Sequence, residues 1–475
     1  MPRPLAQRRV AVIGGGIAGL AAAHALAAQP ANGSATGIEA PQVTLFEADD
    51  RLGGKIHTTP FAGHAGIDEG ADAFLARVPW ATALARDVGL GDQLVSPASG
   101  HAAVWLDGLH RIPAGLLLGM PTDVMALARS KLLSARGKAR AALEPLLRGT
   151  SLDSDSLGDY VRSRFGNEVH ERLVDPLVGS IYAANTDRFS LAAVPQIAEL
   201  ANTSRSVLLA ARKRPPAPDG PVFFTPRAGM GAFVAAVADA FTAAGGALRT
   251  GTPIAGVEPS PSGWAVHSGA ATGSRTEHFD AVVLACPADA AARLLAGSGA
   301  AAEIAATLRA ITTADVALVS LAVPSQAWPR GLLGMSGYLV PKPQQNLVTA
   351  VSFGSQKWSH WASPDLQVLR ISLGRDGLPV LHLDDATLLA AAVDEVSAHL
   401  GFRLSPTHTR ISRWPGAFPQ YRPHHGERVD TVQRVLPTGL LLAGASYHGI
   451  GIPACVRSGQ IAAQSALQHL NSLAD

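Results

Sequence analysis

Gly14, Gly16 and Gly19 stand in the spacing Gly-x-Gly-x-x-Gly within the run Gly14-Gly15-Gly16-Ile17-Ala18-Gly19, a pattern suited to holding a dinucleotide. The first glycine permits a tight turn, the second lets backbone approach a pyrophosphate, and the third lets a helix pack close to a strand. The phosphates then sit on the helix N-terminus. Glu47 closes the next apolar run, where a carboxylate can accept hydrogen bonds from ribose hydroxyls. Four residues on, Arg51-Leu52-Gly53-Gly54-Lys55 adds two glycines for close backbone approach and an arginine able to pair with a phosphate. Other reactive side chains form no comparable pattern. The 16 histidines show no His-Glu-x-x-His spacing, and His424-His425 reads as a surface loop pair. Cys286 and Cys455 lack the paired spacing of a zinc site or redox dithiol. They read as buried thiols in a reducing compartment, and no metal site is expected.

The elements that must position these residues can be read around them. Arg9-Val10-Ala11-Val12-Ile13 is a short apolar strand, the glycine run is the turn, and an alanine-rich helix follows to about Ala28. Gln42-Val43-Thr44-Leu45-Phe46 is the next strand, and Pro30 to Pro41 between them has the composition of a surface insertion. The unit is βαβ with an enlarged connection. From about 95 to 215 the texture becomes helical and rich in Leu, Ala and Arg, ending at the proline-rich linker 212–218. Beyond it, Gly229-Met230-Gly231 leads a helix through Phe241. Residues 252–257, 264–266 and 281–285 read as three strands. Residues 291–424 mix strands and helices, and 439–444 is a buried strand leading into a helix near Val456.

Composition narrows the function classes. The 475 residues carry 39 Lys+Arg against 37 Asp+Glu, a net charge of +2, so nucleic acid is not expected as a partner. Mean hydropathy is +0.17, yet no stretch approaches about 20 uninterrupted apolar residues. Gly439 to Ile452 comes nearest and is broken by glycine, serine and histidine. A spanning helix is excluded and peripheral membrane contact is left open. The N-terminus runs from polar and basic residues straight into the strand near Val10 with no leader, which reads as cytoplasmic.

Together, the fingerprint and the Glu-x3-Arg-x-Gly-Gly extension resemble the flavin-binding superfamily that includes amine oxidases, phytoene desaturases and protoporphyrinogen oxidases. The resemblance implies FAD and a late motif closing over its isoalloxazine. The run Leu442 to Pro453 answers it, and its Ala-Gly-Ala-Ser-Tyr-x-Gly-x-Gly-Ile-Pro form is similar to the bacterial protoporphyrinogen/coproporphyrinogen oxidases. Further matches are Asp68 to Leu75, Asp175 to Ala184 and Trp414 to Tyr421, so the resemblance covers nearly the whole chain. It implies an α/β fold with a discontinuous Rossmann-like FAD-binding domain (1–85, 220–290 and 425–475). An α/β substrate-binding domain (291–424 with part of 86–94) and an inserted helical lobe (95–215) complete the expected organisation. The FAD contacts it implies are Gly14, Gly15, Gly16, Ile17, Ala18, Gly19, Glu47, Arg51, Gly53, Gly54, Lys55, Gly70, Ala71, Asp72, Ala73, Val257, Trp414, Gly444, Ala445, Ile450, Gly451 and Ile452.

The activity implied is the six-electron oxidation of a porphyrinogen to a porphyrin. Hydride passes from a meso carbon to flavin N5, and dioxygen reoxidises the flavin with release of hydrogen peroxide. No second fingerprint for NAD(P)H is evident, in keeping with an oxidase. The protein would hold the macrocycle within about 3 to 3.5 Å of N5, with the Gly179 backbone carbonyl orienting the pyrrole nitrogens and Tyr182 nearby. Arg77 and Arg375 are the expected propionate partners. Coproporphyrinogen III is the favoured substrate, because His101-Ala102-Ala103 lacks the arginine expected there in the mitochondrial type and the alanine-rich, lysine-poor texture resembles a high-GC bacterium. Protoporphyrinogen IX is the alternative, and a non-catalytic porphyrin carrier or regulatory protein the alternative of another class. Arg129, Lys131, Arg136, Lys138 and Arg140 fall on one expected helix. Such a face could meet anionic lipid or, transiently, a ferrochelatase; oligomeric state is open.

Overall fold

The computed structural model describes residues 8–28, 41–113, 115–147, 154–213, 220–269, 275–297 and 301–473. The expected insertion 30–41 and the linker 212–218 lie, apart from their edges, outside them. Five parallel strands build the first layer, in the order Ala247–Arg249, Gln42–Phe46, Arg9–Ile13, Ala281–Leu284, Leu440–Leu442. Their residues are almost uniformly apolar because both faces are covered, and Val10, Val12, Leu45, Val283 and Ala281 are fully buried. The helix Ile17–Ala27 packs on this sheet and against the last helix, Ile452–Ser472. Alanines on both helices, with Gly459 facing the Ala18 carbonyl, let the two backbones approach closely.

A three-stranded antiparallel sheet, Ile254–Ser260, Gly263–Ser268 and Arg275–Phe279, closes one flank. Helices Ala288–Leu294 and Ala302–Arg309 share its core with Val257, Trp264 and Phe279. The second layer is a seven-stranded sheet, ordered His408–Pro419, Thr313–Pro324, Leu366–Leu373, Val348–Phe353, Met335–Leu339, His101–Trp105, Leu109–Arg111. The mixed α/β architecture expected from the sequence is present.

Two expectations are corrected here. The segment 95–215 does not open as helix: His101–Trp105 and Leu109–Arg111 complete the seven-stranded sheet, and its α-helices begin at Val124–Arg129. The turn joining those strands contains Asp107 and Gly108 with φ of 52° and 145°, a strong hairpin signal that the surrounding alanines and leucines obscure. The basic residues also do not share one helix. Val124–Arg129 stops at Ser130, and Ser134 starts Ala135–Ala142 by accepting from Gly137 N–H at 3.1 Å. Arg140 is moreover engaged, donating to the carbonyls of Ser163 (2.7 Å) and Arg164 (3.0 Å). Among the described residues no helix is long and apolar enough to cross a membrane.

Candidate active site

The parallel strands end at a cavity of about 890 Å³, walled by the seven-stranded sheet and by helix Asp175–Tyr182. A crevice at the C-terminal edge of such a sheet is where this architecture binds ligands. Gly14 turns there with φ of 111°. A Cβ at Gly19 would strike the Gly14 carbonyl, so only glycine lets helix Ile17–Ala27 sit this close to its strand. Gly16 has nothing within 4 Å of where its Cβ would be, and it starts the helix with no side-chain cap. Those first N–H groups and the helix dipole form a site for an anion. Glu47 accepts from Gly15 N–H at 2.6 Å and Asp49 N–H at 2.9 Å, and it remains on the wall with lone pairs to spare.

A second uncapped helix N-terminus meets the same cavity: Gly451 precedes Ile452–Ser472, and Gly444, Ala445, Ile450 and Ile452 line the wall. Tyr421 fixes this turn by donating to Ala445 O (2.5 Å) and accepting from Gly449 N–H (2.9 Å). Lys55 Nζ donates to the carbonyls of Gly416 (3.0 Å) and Ala417 (2.5 Å), tying the glycine loop to the strand that carries Trp414. Burial pulls the Lys55 ammonium below its ordinary pKa. Trp414 Nε1 donates to Glu69 O at 2.8 Å beside Gly70, whose missing Cβ admits the Lys55 carbonyl. Burial pushes the thiols of Cys286 and Cys455, both on the wall, up to about 12, so neither is a thiolate nucleophile.

Two anion-accepting helix ends meeting one glycine-lined cavity suit an elongated group that carries phosphates. The family model for flavin-containing amine oxidoreductases matches residues 17–467. This chain belongs to that family. It is therefore an oxidoreductase of a flavin-containing family. Among its relatives, the coproporphyrinogen III oxidase of Bacillus subtilis is 30% identical over 98% of this chain and 99% of its own. That of Mycobacterium tuberculosis (strain H37Rv) is 34% identical over 98% of each. A crystal structure of a putative protoporphyrinogen oxidase from Exiguobacterium sp. 255-15 superimposes with a TM-score of 0.83 at 29% identity, covering 97% of this chain and 99% of that one.

Of the residues expected to hold the flavin, Gly14, Gly16, Ile17, Ala18, Glu47, Gly53, Gly54, Lys55, Gly70, Ala71, Asp72, Trp414, Gly444, Ala445, Ile450 and Ile452 line the cavity. Gly15, Gly19 and Gly451 stand behind the wall as backbone supports, and Ala73 packs beside Trp358 and Trp361. Arg51 is not among the residues lining the cavity, and its guanidinium donates to the carbonyls of Leu52, Gly54 and Ile56. Val257 is corrected. It lies on the three-stranded sheet, fully buried in the core shared with helices Ala288–Leu294 and Ala302–Arg309, while Ile254 on the same strand reaches the wall.

The residues expected near substrate change most. Gly179 lines the cavity, but its carbonyl already accepts the N–H groups of Ala183 and Ala184, leaving it no free acceptor for a pyrrole. Its lack of a Cβ makes room instead for Arg375, whose Nη2 lies 3.0 Å from where that Cβ would be. Arg375 is 5% exposed and forms a bidentate pair with fully buried Asp175 at 2.8 and 2.9 Å, and it also donates to Ala184 O. It reaches the wall with its charge answered, so it clamps the helix and is not a free propionate partner. Arg77 is exposed and off the wall, and Tyr182 packs on Phe189 with ring centroids 4.7 Å apart, also off the wall.

The sequence reading missed the sheet floor. Val316 and Leu318 on one strand, Arg370 and Ser372 on the next, and Thr349 and Ser352 on the third project into the cavity, with Phe418 and Lys357 beside them. The i, i+2 spacing of Val316/Leu318 and Arg370/Ser372 was the available signal.

Proposed function

We propose that this chain is an FAD-dependent oxidase that converts coproporphyrinogen III to coproporphyrin III in haem biosynthesis. The observation that carries the reading is the cavity itself: helix N-termini at its nucleotide end, and beyond them a floor apolar at Val316, Leu318 and Phe418 that turns polar at Arg370, Ser372 and Lys357. FAD, with its adenosine half, is supported by the way the cavity runs past Gly16 to Glu47 and Thr252–Ala255. FAD held there would supply two-electron oxidation with dioxygen as the final acceptor, six electrons per porphyrin corresponding to three hydrogen peroxide molecules.

The chain's own residues bind and position. Trp414 and Val316, register partners on neighbouring strands, offer a flat apolar surface to a macrocycle, while Lys55 holds the strand that carries Trp414. Gly179 and Arg375 set where helix Asp175–Tyr182 closes the roof. The coproporphyrinogen III oxidases aligned over nearly their full length support the substrate assignment. Purified protein should release FAD on acid extraction and, with coproporphyrinogen III in air, form about three peroxides per porphyrin. Porphyrin formed without peroxide, or FMN in the extract, would refute it.

A further inference from the structure

Asp72 sits where the loop after strand His64–Asp68 meets the seven-stranded sheet, and two cations share it. Lys357 Nζ lies 2.9 Å from its Oδ2 and Arg370 Nη1 3.2 Å, with Trp358 Nε1 donating at 3.0 Å. Burial alone would raise the Asp72 carboxyl, but Lys357 and Arg370 hold it far below the carboxylate range. It therefore stays ionised and can neutralise only one of them. Lys357, Arg370 and Asp72 all line the cavity; Arg370 is further engaged by the Gly70 carbonyl and by the field of the buried Asp68 carboxyl, whereas among the described residues Lys357 shares only the Asp72 carboxylate at this corner of the wall.

The corner is also polar beyond its charges. The sheet register sets Ser352 opposite Arg370, and Ser372 follows two residues later on the same face. Among the described residues, Ser352 Oγ and Arg370 Nε are buried with no hydrogen-bond partner, a cost normally avoided unless something else completes the site. Position in the sheet matters as well. Val316 pairs with Trp414 and Ser320 with Arg370, four residues apart along one strand, so Arg370 lies about 13 Å along the strand direction from the apolar row at Trp414. Carboxylate arms on the rim of a macrocycle would extend to such a distance while its ring lay over Val316 and Leu318.

On the proposed substrate reading, we infer that Lys357, backed by the Arg370–Asp72 pair, is the subsite that recognises a propionate carboxylate and makes the cavity select for carboxylate-bearing macrocycles. The test is an equilibrium titration of the flavin-loaded protein with coproporphyrin III and with its tetramethyl ester, followed by porphyrin fluorescence. Lys357→Gln should weaken binding of the acid about tenfold, the worth of one charge-assisted hydrogen bond, and leave the ester unchanged, while Lys357→Arg keeps the acid bound. Equal losses for acid and ester, or no loss, with flavin absorbance intact, overturn the inference. Should Lys357→Gln shed its flavin, the wild type decides: preference for the acid over the ester must shrink as salt rises, and a salt-independent preference overturns it. A wild type that shows this charge preference yet fails to oxidise coproporphyrinogen III would count against the proposed reaction alone.

Discussion

Gly16 and Gly19 ask different things of their surroundings, and one substitution separates them. An alanine at Gly16 meets open cavity, so Gly16→Ala should fold with the melting temperature of the apoprotein while its FAD affinity falls at least tenfold, measured by fluorescence titration. An alanine at Gly19 collides with backbone, so Gly19→Ala should lower the melting temperature of the apoprotein itself. Equal behaviour of the two would contradict the assignment of Gly16 to the phosphate. At the other end, Asp175→Asn leaves the Arg375 guanidinium buried against a neutral partner and should cost about 3 to 5 kcal/mol, read by denaturant unfolding. A surface role for Arg375 would leave stability unchanged. These residues also mark what the sequence could tell. Glycine spacing exposes a phosphate site because the reason for each glycine is local. Whether Arg375 is free cannot be read locally, because its partner Asp175 lies 200 residues away.

Elements are held at the site by single buried groups. Tyr421 reaches from the sheet to the turn before the last helix, and Tyr421→Phe would leave Ala445 C=O and Gly449 N–H unpaired at a cost of about 1 to 3 kcal/mol. FAD should then dissociate more readily, as a dialysis or dilution assay would show; unchanged retention would mean the turn is held by other contacts. Helix Met230–Ala243 starts on Asp68, whose Oδ1 accepts from Met230 N–H at 2.9 Å. Burial raises the Asp68 carboxyl from 3.8 to about 6, so across that window the folded chain holds a proton that the unfolded chain has lost. That part of the stability therefore falls as pH rises from about 4 to about 6. Asp68→Asn keeps the acceptor and removes the titration, so its melting temperature relative to wild type should climb between pH 4.5 and 6.5. A constant difference would refute the shift. Four strands of the parallel sheet were legible because burial on both faces leaves uninterrupted apolar runs; the three-residue edge strand Ala247–Arg249 was too short to read. His101–Trp105 was not, since its alanines carry little strand preference and its place in the sheet is set by Met335–Leu339, far along the chain.

At the scale of the molecule, the site exists only where the two sheets meet, and neither layer holds it alone. The nucleotide end is supplied by residues near both chain ends, the floor by strands from 313 to 419, and the roof by helix Asp175–Tyr182. The sequence motifs lie almost entirely at the nucleotide end, which is why that half of the site could be read in advance and the floor could not. Side chains such as Val316, Ser352 and Arg370 gain meaning only from register between strands. The floor is also what separates the proposed substrate from its rivals, because its polar corner suits a macrocycle with more carboxylates. The measurement that tests this most directly is aerobic oxidation of coproporphyrinogen III and protoporphyrinogen IX in parallel by the flavin-loaded protein, following porphyrin fluorescence and peroxide. The four-propionate substrate should be oxidised with the higher kcat/KM, by about tenfold or more; faster oxidation of protoporphyrinogen IX, or of neither substrate with flavin bound, would contradict the account.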